Sequence, residues 1–219
     1  MEDDIHFFYM FAFYNLIAMQ IKIDSRDIEV SEGETIIEAA QNNGIFIPAL
    51  CYAVGYKHQA SCMVCVVKIC KTGEIVPACT TIVTEGMYIE NETVEIVSLR
   101  RQSLELLLSE HVAVCCSPCN PKKCKFWQYT ISFHAKRKTI QSFSKSSDKF
   151  PQHVKNNLWF DVTKCIKCGL CVYNSNNGFS FQNRGFEMEV VLPKENVLHI
   201  DEALWDICPT QSLYRDFLN

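Results

Sequence analysis

The chain has 219 residues, 48% of them hydrophobic, and a formal net charge of −4. That length supports two small domains with modest cores, and the mild acidity excludes a globally charged nucleic-acid or membrane-surface binder. Its outlier is 13 cysteines; without a visible secretory signal, and at metal-ligand spacings, they point to metal binding in a reducing compartment rather than to a disulfide scaffold.

Residues 1–18 form an N-terminal extension. Residues 5–18 are apolar and aromatic, too short to span a bilayer. They follow Glu2, Asp3 and Asp4, the wrong charge for a signal peptide, and no small-residue cleavage site comes after them. The extension reads either as a misassigned leader ahead of a start at Met19 or as a greasy arm that docks on a partner subunit. Residues 20–24 and 27–30 alternate polar and apolar, which predicts two short strands. Residues 35–43 read as a helix, with Thr35 and Glu38 as a capping box and Asn43-Gly44 as its stop. A loop then carries Cys51, Cys62 and Cys65. Residues 64–69 and 74–77 read as a hairpin around Lys71-Thr72-Gly73, with Cys79 directly after it. Residues 87–89 and 94–97 are further expected strands. This order fits a small α+β ferredoxin domain of the β-grasp type over residues 19–97.

A second helix is expected from Ser98, with Leu104, Leu107, Leu108 and His111 on one face. Cys115, Cys116, Cys119 and Cys124 follow, giving a short helical His/Cys segment over residues 98–130. Residues 122–155 hold nine Lys or Arg against one acid, Asp148. They read as a solvated linker, with a basic surface for an acidic partner subunit as the functional alternative; the linker proper is placed at 131–157. A last domain is expected over 158–219. It has a strand at 158–162, then Cys165, Cys168 and Cys171. Residues 179–182 and 186–191 flank Asn183-Arg184-Gly185 as a hairpin. Asp201 caps a short helix through Ile207 that Pro209 ends, and residues 212–215 make a closing strand.

The cysteines fall into three sets. Cys51-x(10)-Cys62-x(2)-Cys65-x(13)-Cys79 offers four thiolates on a tight loop plus a returning segment, as a 2Fe–2S cluster needs. A zinc ribbon also uses four cysteines but normally has two Cys-x(2)-Cys knuckles, and here there is one. His111-x(3)-Cys115-x(3)-Cys119-x(4)-Cys124 could ligate a 4Fe–4S cluster. His111 on its apolar helix face is equally readable as a packed core residue, and Cys116 rivals Cys115. Cys165-x(2)-Cys168-x(2)-Cys171 with a distant Cys208-Pro209 matches one 4Fe–4S cluster; Ser175 stands where a two-cluster ferredoxin would place a further cysteine. Cys70 and Cys116 are left over, and Cys70 reads as a bystander.

The chain resembles the N-terminal iron–sulfur region of the large iron–sulfur subunit of respiratory complex I. It resembles equally the small iron–sulfur subunit of the NADH-oxidising half of bidirectional hydrogenases and the N-terminal region of iron-only hydrogenases. The strings that carry this are Ile47-Pro-Ala-Leu-Cys51, Ala60-Ser-Cys-Met-Val-Cys65, Pro77-Ala-Cys79, Glu85-Gly-Met87, Leu104-Glu-Leu-Leu-Leu-Ser-Glu-His111, Asn183-Arg-Gly-Phe186 and Cys208-Pro-Thr210. The resemblance implies a 2Fe–2S cluster on Cys51, Cys62, Cys65 and Cys79, a His-ligated 4Fe–4S cluster around His111, and a second 4Fe–4S cluster, of ferredoxin-like fold, on Cys165, Cys168, Cys171 and Cys208. It also implies a flavin-containing partner subunit that oxidises NADH or NADPH. The family usually spaces the histidine motif His-x(3)-Cys-x(2)-Cys-x(5)-Cys; here Pro118 takes the middle position and the cysteine is Cys119.

No Gly-x-Gly-x-x-Gly follows a strand, and no nucleophile–base pair stands out. The expected role is therefore a non-catalytic electron-transfer subunit between the flavoprotein and a terminal redox subunit. It would be cytoplasmic, with no membrane span of its own, and any membrane association would go through partners. A free-standing multi-cluster ferredoxin and a zinc-stabilised structural protein are the competing readings.

Overall fold

The computed structural model describes residues 18–111, 123–137, 150–176, 178–192, 200–201 and 203–215. They fall into two compact units: residues up to 47 with 66–96, and residues 48–65 with those from 97 onward.

In the first unit, β1 (Ala18–Ile23) and β2 (Arg26–Ser31) form an antiparallel hairpin with Ile21 opposite Ile28. The period-2 alternation read from the sequence buries Ile21, Ile23, Ile28 and Val30. Helix α1 (Ile36–Asn42) follows, then β3 (Val66–Ile69), β4 (Ile75–Pro77) and β5 (Tyr88–Glu90). The sheet order is β2-β1-β5-β3-β4. β1 and β5 run parallel, Ile23 beside Ile89, and the other pairs are antiparallel.

The capping box of α1 forms as expected. Thr35 Oγ1 accepts the Glu38 N–H at 3.4 Å, and Glu38 Oε2 accepts the Thr35 N–H at 2.9 Å. The next two N–H groups, of Ile36 and Ile37, donate to the carbonyls of Thr81 and Ala78 at 2.8 and 3.0 Å. The helix start is thereby tied to the loop that holds Cys79, and no N-terminal donor there is left to water. Thr35→Ala should lower the unfolding free energy by about 0.5–2 kcal/mol, read by urea denaturation. An unchanged midpoint would show that the cap does not secure this loop.

Residues 94–97, expected as a strand, are instead the first turn of α2 (Val94–Glu110), so this helix starts before Ser98. Thr93 Oγ1 accepts the Ile96 N–H at 3.3 Å, as an N-cap does. Ile96, Arg100 and Leu104 are buried at helical spacing while Val94 faces solvent. A short run with β-branched residues on alternate positions reads the same way for either element.

In the second unit, α3 (Lys125–Ser132) forms where composition pointed to an unstructured basic stretch. Its buried Phe126 and Thr130, at i and i+4, give it an inward face. β6 (Gln152–Lys155) also lies within the expected linker, whose residues 138–149 are outside the described residues. It joins β7 (Leu158–Phe160) and β10 (Leu213–Arg215) in an antiparallel sheet of order β10-β7-β6. The strand expected at 158–162 ends early because Asp161 caps a 3-10 turn over Val162–Lys164, its Oδ1 accepting the Thr163 N–H at 3.0 Å. Helix α4 (Leu170–Asn174), the hairpin of β8 (Ser180–Gln182) and β9 (Glu189–Val191), and helix α5 (Leu204–Ile207) complete the unit. Asp201 Oδ1 accepts the Ala203 N–H at 2.8 Å, but Ala203 is itself the N-cap of α5 and the helix has no side-chain cap, so the capping role expected of Asp201 is not met: its carboxylate bonds one residue short of the first turn. Leu158, Phe160, Phe179, Ile200, Leu204 and Leu213 share one core. Residues 5–17 of the apolar extension lie outside the described residues, and among those described no helix is long and apolar enough to cross a membrane.

Candidate metal centres

Cys51, Cys62 and Cys65 are all buried in the loop 48–65 of the second unit. The Cys51 and Cys62 sulfurs lie 3.3 Å apart, and the Val64 N–H points at Cys62 Sγ from 3.5 Å. Met63, between them, adopts a left-handed φ of 53°. The turn it makes folds the following N–H back on the sulfur. The Cys51 thiol, then burial, push the Cys62 pKa well up, while the N–H groups of Val64 and Leu50 pull it down. Cys79 belongs to the first unit, fully buried directly after β4. Cys70 sits at the β3–β4 turn; burial and the Glu90 carboxylate raise its pKa and keep its thiol protonated.

The third set is brought together completely. Cys165, Cys168, Cys171 and Cys208 line one pocket with apolar walls from Phe160, Leu170, Val190, Leu204 and Leu213. Lys167 repeats the device seen at Met63: its φ is 57° and its N–H donates to Cys165 Sγ at 3.3 Å. Gly169 has φ 82°, and a Cβ there would come within 2.6 Å of the Tyr173 ring, so only glycine fits between Cys168 and α4. Cys208 Sγ accepts the Leu213 N–H at 3.4 Å, and the Thr210 hydroxyl lies 3.8 Å from it. Burial first, and then the neighbouring cysteines, raise the pKa values of Cys168 and Cys171. Four thiolates in an apolar pocket repel one another unless a cationic centre neutralises them, which is what bound iron does.

Of the second set, only His111 and Cys124 are described; Cys115, Cys119 and the rival Cys116 lie outside the described residues. His111 is buried at the end of α2, its ring tilted on Phe126 with centroids 5.1 Å apart, and Arg137 Nη2 donates to its carbonyl. Cys124 is the N-cap of α3: its sulfur accepts the Trp127 N–H at 3.4 Å and faces the Pro209 carbonyl at 3.7 Å.

Residues of all three sets meet in one core of the second unit. Leu50, Cys51, Cys62, Val64, Leu104, Cys124 and Phe126 pack together, with Ile166 and Cys168 against them. The Ser61 hydroxyl donates to the Cys168 carbonyl at 3.2 Å, and the Phe126 N–H donates to the carbonyl of Pro209, next to Cys208, at 3.0 Å. Among the described residues no three His, Cys, Asp or Glu side chains close on a single ion. The sulfur-directed N–H groups and the left-handed Met63 and Lys167 were not read from the sequence; the two Cys-x(2)-Cys spacings were the only signal for them.

Residues 18–94 match the family described as 2Fe-2S iron-sulfur cluster binding domain. The chain is 26% identical over 208 residues to the gamma component of the NAD-reducing hydrogenase HoxS of Cupriavidus necator, covering 90% of this chain and 87% of that one. It is 30% identical to the HndD component of the NADP-reducing hydrogenase of Solidesulfovibrio fructosivorans, with 89% of this chain and 36% of that protein covered. It is 29% identical to a subunit of the NADH-quinone oxidoreductase of Rickettsia prowazekii, with 89% and 30% covered. The chain thus spans about a third of the two latter proteins. A chain in a crystal structure of an NAD+-reducing [NiFe]-hydrogenase in the H2-reduced state superposes with a TM-score of 0.79 at 23% identity, over 92% of this chain and 88% of that one, which shows a shared fold.

Proposed function

We propose, because residues 18–94 belong to the 2Fe-2S iron-sulfur cluster binding family and the chain is a relative of hydrogenase and NADH-quinone oxidoreductase subunits, that this protein is an iron–sulfur electron-transfer subunit. It relays electrons between an NAD(P)H-oxidising flavoprotein subunit and a terminal redox subunit. Cys51, Cys62, Cys65 and Cys79 hold a 2Fe–2S cluster. Cys165, Cys168, Cys171 and Cys208 hold a 4Fe–4S cluster in a ferredoxin-like domain. His111 and Cys124, with Cys115 and Cys119, hold another.

The observation that carries the reading is the shared core, in which Cys51, Cys62, Cys124 and Cys168 pack with Leu104 and Phe126. Bound clusters supply single-electron acceptance and release. The chain's own residues do the rest. Leu104, Phe126 and Phe160 exclude water, which lowers the local dielectric and holds the sulfurs apart from solvent. The N–H groups of Val64, Lys167 and Leu213 place positive dipole ends on Cys62, Cys165 and Cys208. The Phe126–Pro209 and Ser61–Cys168 hydrogen bonds tie the segments of neighbouring sites to one another.

The test is a reductive titration of the anaerobic protein. Three clusters take up about three electrons per chain, one each. Uptake of about two would mean that the His111 site is empty. No uptake would end the electron-transfer reading. Isolation of the native protein should bring a flavin-containing subunit with it; a chain always recovered alone would favour a free-standing carrier.

A further inference from the structure

We propose that the ion pair between Lys167 and Glu110 is an electrostatic tuning element that links the third cysteine set to the end of α2 at His111. Lys167 lies inside the Cys165-Ile166-Lys167-Cys168 turn, and its own N–H donates to Cys165 Sγ. Its ammonium meets Glu110 Oε2 at 2.7 Å, with the lysine side chain 8% exposed and the glutamate 32%. Glu110 is the last residue of α2, directly before His111. The pair therefore joins, across 57 positions of sequence, the turn of one cysteine set to the histidine of another.

Helix stability does not explain this carboxylate. The C-terminal end of α2 carries the partial negative charge of its unpaired carbonyls, where an acid is disfavoured. A part-buried ion pair is also weak support for a fold, because desolvation offsets its attraction. What such a pair does well is act at short range with little screening by salt. Reduction adds an electron to a cluster, so a neighbouring positive charge favours it and a negative one opposes it. Lys167 and Glu110 then push the potential in opposite directions, and their balance sets it.

The inference rests on the reading that these sites hold four-iron clusters. It is tested by EPR-monitored redox titration of the full chain, loaded anaerobically, as wild type, Lys167→Gln, Glu110→Gln, the double variant and Lys167→Arg. Lys167→Gln should lower the midpoint of the four-iron signal that Cys208→Ser removes, that of the third site, and Glu110→Gln should raise it. Each shift should be about threefold or more in the reduction equilibrium, about 28 mV at 59 mV per tenfold for one electron. The double variant should fall between the two singles, and Lys167→Arg should restore the wild-type midpoint. A purely structural bond is broken equally by either single variant, so shifts of the same sign, or none with the signals intact, would overturn the proposal. Absence of any four-iron signal in the wild type would instead remove the reading beneath it.

Discussion

Cys208→Ser should empty the third site, lowering the iron content from the about ten that the three proposed clusters require to about six. Cys208 is the one sulfur of this set that comes from a distant part of the chain, placed at the end of α5 by buried Leu204 and held by the Leu213 N–H. Serine is nearly the same size, so the apolar walls of Phe160, Leu204 and Leu213 stay packed. Its hydroxyl, however, stays protonated near neutral pH and is a hard donor where iron–sulfur chemistry calls for a soft thiolate. The fold should therefore persist, seen as unchanged far-UV circular dichroism, while one four-iron EPR signal disappears and the two-iron signal remains. Cys70→Ser, at a thiol kept protonated at the edge of the first unit, should keep the full iron content. Full iron in Cys208→Ser would remove Cys208 from the ligand set.

Phe160→Ala should cost about 3–5 kcal/mol of stability. Phe160 is 2% exposed, meets Phe179 edge-on with centroids 5.3 Å apart, and lines the pocket of the third cysteine set. The aromatic pair adds about 0.5–1.5 kcal/mol to the loss of buried area. The neighbouring backbone cannot collapse into the gap freely, because β7 is pinned on both sides by β6 and β10. Urea denaturation should show a markedly lower midpoint, and chelator should strip iron from the third site faster than from the first. A loss under about 1 kcal/mol would mean that this core is looser than its packing indicates.

Much of the first unit was legible because its signals are local. Thr35 and Glu38 announce the start of α1, and the alternation around Ile21, Ile23, Ile28 and Val30 announces the hairpin. The error at residues 94–97 came from a short β-branched run whose helical face shows only when Arg100 and Leu104 are counted with Ile96. α3 was hidden by its flanking lysines, and its cap is a cysteine sulfur, which no composition rule flags. In the third set, spacing groups Cys165, Cys168 and Cys171 in the sequence and the Cys208-Pro209 dipeptide suggests the fourth; all four line one pocket. The turns that aim N–H groups at those sulfurs were not foretold, because Met63 and Lys167 take the left-handed conformation where glycine is the usual marker. The Lys167–Glu110 pair joins residues far apart in sequence, which periodicity and spacing cannot see.

The central claim is that this chain carries three iron–sulfur clusters. The most direct measurement is iron and acid-labile sulfide per chain in anaerobically purified protein, with EPR spectra of the dithionite-reduced sample. About ten irons, from one two-iron and two four-iron sites, with both kinds of signal, is the predicted result. A native preparation that is colourless and loaded with zinc in place of iron would contradict the claim.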